Sequence, residues 1–308
     1  MKLWVTGASG FIGRHLVAQA ALTGHQVCAV ARRGASQLGD ASVRRLTMDL
    51  DNHDEVLAHV RSDLPDAIVH LAWYAQPDDY LVSVENLESL KMTLTFARAV
   101  LAGGCRRMVG VGTCVEYANL HRPRNEDDPL EPKSLYARTK HAAHLVLDEL
   151  FARANARLAW ARLFHMHGPG EHPTRLIPAV AASLRAGRPF ALSPGEQVRD
   201  HLDVRDVASA LLHLAGSDLT GPVNVCSGKP VTLRTVLETV GRELDKIDLL
   251  QFGARPYSAT EVMFLAGDPA RLLASGWRAE HADLAASLRD TIAGSGTTRL
   301  SSDGGMGR

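Results

Sequence analysis

The sequence predicts an α/β protein: a doubly wound parallel sheet followed by a smaller C-terminal lobe. Three observations predict it. A short apolar strand, Lys2 to Thr6, runs into a glycine-rich turn, Gly7-Ala8-Ser9-Gly10-Phe11-Ile12-Gly13, which opens a helix. Apolar strand-length runs then alternate with helix-length runs as far as Phe164. Such alternation builds a parallel sheet, because each crossover helix carries the chain back to the edge where the next strand starts. After Gly168-Pro169-Gly170 the rhythm loosens, which marks a change of architecture.

The elements follow in order. Phe11 to Thr23 reads as a helix, with Gly24 placed to end it. Gln26 to Ala31 is a second apolar strand and Arg44 to Met48 a third, followed by a helix through Asp54 to Arg61. Ala67 to Ala72 is a buried strand. Val84 to Ala102 is a long helix ending at Gly103-Gly104, and Met108 to Gly112 is the next strand. Ser134 to Asn155 is a long amphipathic helix, with the strand Arg157 to Phe164 after it. Ile177 to Ala186 and Val204 to Leu214 read as helices, the second docking back on the main sheet before a strand at Pro222 to Cys226. A helix from Asp283 to Ile292 closes the region after Ser227. The expected organisation is therefore a sheet domain over 1–163, to which 203–226 returns, and a lobe formed by 164–202 and 227–293. The segment 294–308 is rich in Gly, Ser and Thr and reads as a disordered tail.

Composition narrows the function classes. Lys plus Arg equals Asp plus Glu, 34 each, so no bulk field recruits nucleic acid or an anionic membrane. No run approaches the roughly 20 apolar residues of a membrane helix, and the start is too short for a secretory apolar region. The four cysteines, Cys28, Cys105, Cys114 and Cys226, are far apart. They read as reduced buried thiols of a cytoplasmic protein, and no metal-ligand spacing occurs among the cysteines or histidines.

The glycine turn sits between a strand and a helix, where glycine lets a pyrophosphate approach the backbone and the helix N-terminus offers free N–H groups. A Rossmann-type dinucleotide site follows, with Gly7, Ser9, Gly10, Phe11, Ile12 and Gly13 as its phosphate cradle. The second strand ends Val30-Ala31-Arg32-Arg33. The acid that binds the ribose 2′-hydroxyl in NAD sites is missing, and guanidinium groups suit a 2′-phosphate. Arg32 and Arg33 therefore predict NADP in preference to NAD, which stays as the alternative. Asp49 and Leu50, after the third strand, are placed at the adenine side.

Tyr136 and Lys140 lie one helical turn apart in Ser134-Leu135-Tyr136-Ala137-Arg138-Thr139-Lys140. A tyrosine can exchange a proton with an alcohol or ketone oxygen, and a nearby ammonium stabilises the phenolate. Beside a dinucleotide, the pair points to hydride transfer.

With these motifs the chain, from Met1 to about Ile292, resembles the extended short-chain dehydrogenase/reductase family, in its branch of sugar-nucleotide epimerases, dehydratases and ketoreductases. The turn Gly7 to Gly13 matches the family's cofactor turn, and Val69-His70-Leu71-Ala72 matches the strand whose end flanks the cofactor. Gly112-Thr113-Cys114-Val115-Glu116-Tyr117 matches the segment carrying the catalytic Ser or Thr. Tyr136 and Lys140 match its Tyr-x-x-x-Lys pair. Arg162 to Pro169 and Arg199 to Val207 match two later blocks. The resemblance implies Tyr136 as general acid/base and Lys140 as its partner and ribose ligand. It implies Thr113 as the residue that orients the reacting oxygen, and Leu71 and Ala72 as cofactor contacts. Arg199 would touch the substrate pyrophosphate, with an ion pair to Asp200 or Asp206 as its alternative role. His165 stands where the family has Asn and His167 where it has Tyr; both are placed at the pocket or as packing histidines. Arg175 and Arg255 are further anion contacts from a lobe that closes over a nucleotide-sugar. A homodimer through the helices Val84 to Ala102 and Ser134 to Asn155 is implied as well.

Two departures shape the functional reading. The family's 4,6-dehydratases carry Asp-Glu after the catalytic Thr; here the positions are Cys114 and Val115. Glu116, one residue on, would face the other way in a strand. The family's C-terminal Arg-Pro-Gly-acid is replaced by Ser258-Ala259-Thr260-Glu261. The expectation is an NADPH-dependent reduction of a nucleotide-activated 4-keto-(6-deoxy)hexose. A 4-epimerase is the main alternative, and a dehydratase or a non-catalytic dinucleotide sensor rank below it.

Overall fold

The computed structural model describes residues 1–31 and 42–294. Its main sheet is built from β1 (Lys2–Thr6), β2 (Gln26–Ala31), β3 (Arg44–Thr47), β4 (Ala67–His70), β5 (Arg107–Thr113), β6 (Arg157–Leu163) and, after an excursion, β10 (Gly221–Val225). The strand order is β10-β6-β5-β4-β1-β2-β3, every pair parallel. The chain winds outward from β1 through β3, then restarts at β4 on the other side. The C-terminal ends of β1 and β4 thus frame the switch-point crevice.

β1, β2, β4, β5 and β6 bury both faces, which explains their continuous apolar runs, whereas β3 at the sheet edge is largely exposed. In β1, Leu3 and Val5 join one core while Trp4 points into the other. The first core is closed by α1 (Phe11–Leu22) and α6 (Val204–Gly216) through Leu16, Val17, Val207 and Leu211. The second is closed by α2 (His53–Ser62), α3 (Glu85–Ala102) and α4 (Leu135–Arg153) through Val56, Phe96, Val100, Leu147 and Phe151. Asn52 caps α2, Ser134 caps α4 and Asp203 caps α6, each side chain accepting a first-turn N–H.

Between β6 and β10 lie β7 (His165–His167), α5 (Leu176–Arg185), β8 (Phe190–Leu192) and β9 (Val198–Asp203). Beyond β10 come β11 (Pro230–Thr232), α7 (Leu233–Glu243), β12 (Leu250–Phe252), β13 (Phe264–Leu265), α8 (Ala270–Ala274) and α9 (Leu284–Gly294). β9 gathers β7, β11 and β13 into a small sheet, and β8 pairs with β12. Residues of α5, α7 and α9 enclose a separate apolar core with Ile177, Val180, Val236, Val240 and Leu288. Among the described residues no helix is long and apolar enough to cross a membrane.

Candidate active site

The glycine turn leaves β1 and bends over the exit of β4. Gly7 adopts φ +65°, and a Cβ there would lie 2.8 Å from the Ala72 nitrogen. A Cβ on Gly13 would lie 2.7 Å from the Ala8 Cα. Only glycine fits either position. Thr6 ties the two strand ends together, its carbonyl accepting from Leu71 N–H at 3.2 Å and its hydroxyl from Ala72 N–H at 3.3 Å. Gly10 starts α1 without a side-chain cap, so the helix's first N–H groups face outward beside exposed Ser9 and half-buried Phe11 and Ile12. This cradle fits a dinucleotide pyrophosphate, which needs close backbone approach and unpaired N–H donors. Asp49 is exposed after β3, whereas the Leu50 side chain is buried among Val30, Met48 and Val56, leaving only its backbone for a ligand. Arg32 and Arg33 lie outside the described residues.

The exit of β5 and the start of α4 bring Thr113, Tyr136 and Lys140 together. Burial raises the Tyr136 phenol well above its ordinary value, Tyr80, Cys114 and Glu116 add to the rise, and the nearby Thr113 pulls the other way. Tyr136 therefore keeps its proton. Lys140 is 5 % exposed. Its Nζ donates to the Val111 carbonyl at 2.9 Å and stands 3.8 Å from the centre of the Trp73 ring. Burial pulls its ammonium down to about 7, with Glu116 pulling the other way. Trp73 is held by its indole N–H donating to Asn86 at 2.8 Å. Tyr80 packs edge-on against Tyr136, ring centres 5.0 Å apart, and the Arg175 guanidinium covers the Tyr80 ring at 5.1 Å.

The small sheet supplies the next wall. β7 and β9 pair so that His165 faces His201 and His167 faces Asp203. The His165 and His201 ring centres are 5.7 Å apart. Burial, then the Arg199 and Arg175 charges, press His165 down to about 3, so it is a neutral imidazole within reach of two guanidinium charges. His167 is buried, with Nε2 2.8 Å from the Ser287 hydroxyl, which donates to Asp203. Because a carboxylate only accepts, the serine oxygen takes the histidine's N–H, which leaves His167 Nδ1 as the bare nitrogen. Arg255 lies on an exposed loop after β12, its backbone N–H donating to the Leu192 carbonyl at 3.0 Å.

Two expectations need correction. Arg199 pairs with Glu261, not with Asp200 or Asp206. Asp200 is taken by Ser227 and the Gly228 N–H, and Asp206 by Glu280 and His281. Glu116 does not follow strand alternation. Cys114–Glu116 is a single 3₁₀ turn, and it folds the carboxylate back to accept the Thr113 N–H at 2.8 Å. There Glu116 also meets Arg162 at 3.2 Å and the Trp160 indole N–H at 3.3 Å. Its oxygens and nitrogens of His141 and His144 lie within 4.8 Å of one another, a convergence no local spacing announces. The Arg162 charge on that carboxylate opposes a cation there. Sequence reasoning also missed Trp73's place under Lys140 and Tyr80's against Tyr136, since both contacts join segments far apart in the chain.

Residues 3–226 match the NAD dependent epimerase/dehydratase family. A GDP-6-deoxy-D-mannose reductase from Pseudomonas aeruginosa is 30% identical over 297 residues, covering 91% of this chain and 92% of that protein. A dTDP-glucose 4,6-dehydratase from Mycolicibacterium smegmatis is 29% identical over 311 residues, covering 95% and 92%. Among solved structures, the UDP-glucose 4-epimerase of Thermus thermophilus in complex with NAD shares the fold, with a TM-score of 0.85 at 24% identity, covering 97% of this chain and 100% of that one.

Proposed function

The chain belongs to the NAD dependent epimerase/dehydratase family, and from that premise we propose that it reduces a nucleotide-activated 4-keto-(6-deoxy)hexose to the hydroxy sugar at the expense of NADPH. The observation that carries the reading is the meeting of Thr113 at the end of β5 with Tyr136 and Lys140 of α4, the Lys140 Nζ lying 5.9 Å from the centre of the Tyr136 ring. Reduction starts from the phenol, the form in which burial holds Tyr136.

Bound NADPH supplies the hydride that the C4 carbonyl carbon accepts. As the carbonyl oxygen gains charge, Tyr136 donates its proton to it and Thr113 orients it. The phenolate left behind is stabilised by the Lys140 ammonium and takes its proton back from solvent. Arg175, and Arg199 in exchange for its Glu261 pair, offer guanidinium groups to the substrate diphosphate, while His165 near them stays neutral and adds no further charge.

Cys114 and Val115 argue against water elimination. The Cys114 thiol is buried and pushed up to about 12, so it holds its proton, and valine has none to exchange. NADP is the preferred cofactor because two arginines follow β2 with no acid at its end. The reading includes a homodimer through α3 and α4, whose Leu87, Leu145 and Val146 are exposed apolar residues.

The test is to mix the protein with NADPH and a panel of nucleotide-linked 4-keto sugars. Stoichiometric loss of NADPH is expected. Interconversion of sugars without net cofactor consumption would establish the epimerase instead, and the absence of both results would return the chain to the reading as a dinucleotide sensor. A clear preference for NADH in KM would sink the NADP assignment.

A further inference from the structure

Glu116 is fully buried, lies outside the Thr113, Tyr136 and Lys140 set, and accepts from three donors on two different strands. Its Oε1 accepts from the Thr113 N–H at 2.8 Å and its Oε2 from Arg162 Nε at 3.2 Å. The Trp160 indole N–H spans both oxygens at 3.3 and 3.4 Å. Arg162 is itself 1 % exposed. It donates to the Tyr117 hydroxyl at 3.0 Å, which donates on to Asn224 at 2.7 Å. A Cβ on Gly112 would lie 2.5 Å from Glu116 Oε1, so the backbone beside Thr113 is kept bare to admit the carboxylate.

We propose that Glu116 is the positioning residue of this site: its two oxygens tie the Thr113 backbone to the Arg162 guanidinium and so fix the hydroxyl that works with Tyr136. The inference rests on the proposed chemistry at Thr113 and Tyr136 and adds a residue to it. The physical argument is one of cost. Burying an ion pair is no better for stability than filling the space with apolar groups. A pair kept here, directly under the oxygen-orienting threonine, is accounted for by the geometry it imposes. A carboxylate is required because two donors, one on each oxygen, must be accepted in one fixed plane. Among the described residues, the groups around Glu116 are Arg162 and Trp160 of β6, Thr113 of β5, His141 and His144 of α4, and further off Tyr136 and Lys140 of α4, which feel its charge.

The variants are Glu116→Gln and the double change Glu116→Gln with Arg162→Gln. A single glutamine has one acceptor oxygen, so it holds Thr113 only by turning its amide N–H groups toward Arg162. In the double variant the second glutamine can accept that amide, and the Thr113 bond is kept without charge. The readouts are NADPH affinity, and kcat and KM on whichever nucleotide sugar the protein turns over in either direction. The expected result for Glu116→Gln is a loss in kcat of roughly tenfold or more, with the NADPH dissociation constant unchanged within about twofold and kcat largely recovered in the double variant. Unchanged kcat, loss of NADPH binding in step with kcat, or no recovery in the double variant would each overturn the proposal. A wild-type enzyme that turns over sugars by epimerisation would defeat the reductase reading and leave this one standing. If the wild-type protein turns over no sugar, both fail together, because nothing is then left for Glu116 to position.

Discussion

Replacing Lys140 by methionine removes a charge and keeps most of the shape. The Lys140 Nζ stands 5.9 Å from the centre of the Tyr136 ring. At an effective dielectric of about 20, a unit charge at that distance stabilises the phenolate by about 3 kcal/mol, roughly a hundredfold in rate. The advantage depends on the proton. Burial brings the Lys140 ammonium down to about 7, so it is charged below that pH and neutral above it. The assay is kcat/KM at subsaturating NADPH and keto-sugar from pH 6 to pH 9, which reports the free enzyme. The ratio of wild type to Lys140→Met is expected to be roughly a hundredfold at pH 6 and to shrink to roughly twofold at pH 9. A ratio that stays constant over this range would refute the reasoning, because the contribution would then not be the ammonium charge.

The same substitution should stabilise the fold. The folded value of Lys140 lies below its ordinary 10.5, so the unfolded chain binds more protons between about 7 and 10.5. The burial penalty is therefore complete below about 7 and is relieved as pH rises through that window. At pH 7 it amounts to about 4 kcal/mol, part of which the Trp73 ring face offsets by about 1–2 kcal/mol. Lys140→Met should melt higher than wild type at pH 6, with the gap closing toward pH 10; a lower Tm at pH 6 would contradict the burial argument. Tyr136→Phe should lower kcat by about 10²-fold or more while leaving NADPH affinity intact, and near-normal turnover would remove Tyr136 from the chemistry. Gly13→Ala should abolish NADPH binding in a fluorescence titration, because its Cβ would press on the Ala8 Cα at 2.7 Å; retained affinity would show that the cradle does not hold the cofactor. Arg199→Met should raise the KM for the nucleotide sugar more than it lowers kcat, and a pure kcat effect would exclude a binding role.

The sequence by itself determined the parts whose causes are local. Strand and helix lengths up to β6 follow from apolar runs and their punctuation, so the expected Gln26 to Ala31 strand is β2 to the residue. The expected helix from Val84 to Ala102 is α3 with its N-cap residue, Val84, included. The glycine turn is local in the φ of Gly7 and in the crowding of Gly13 against Ala8, while the approach of Gly7 to the end of β4 is tertiary. Tyr136 and Lys140 share a helix face by spacing alone. The small sheet was not legible: β7, β11 and β13 have two or three residues each, too few to show a period, and they exist only because β9 pairs with them. Tertiary structure alone decided what surrounds the site. Lys140 meets Trp73 and the Val111 carbonyl, Arg199 meets Glu261, and Glu116, turned back on the Thr113 N–H by a local Thr-x-x-Glu capping box, meets Arg162. Those partners come from strands, loops and a helix far apart in the chain, and the proton affinities of the site are set by the burial and charges they create together. A one-dimensional pattern carries the residue types for this chemistry, but the electrostatics arise from distances that only the packed chain defines.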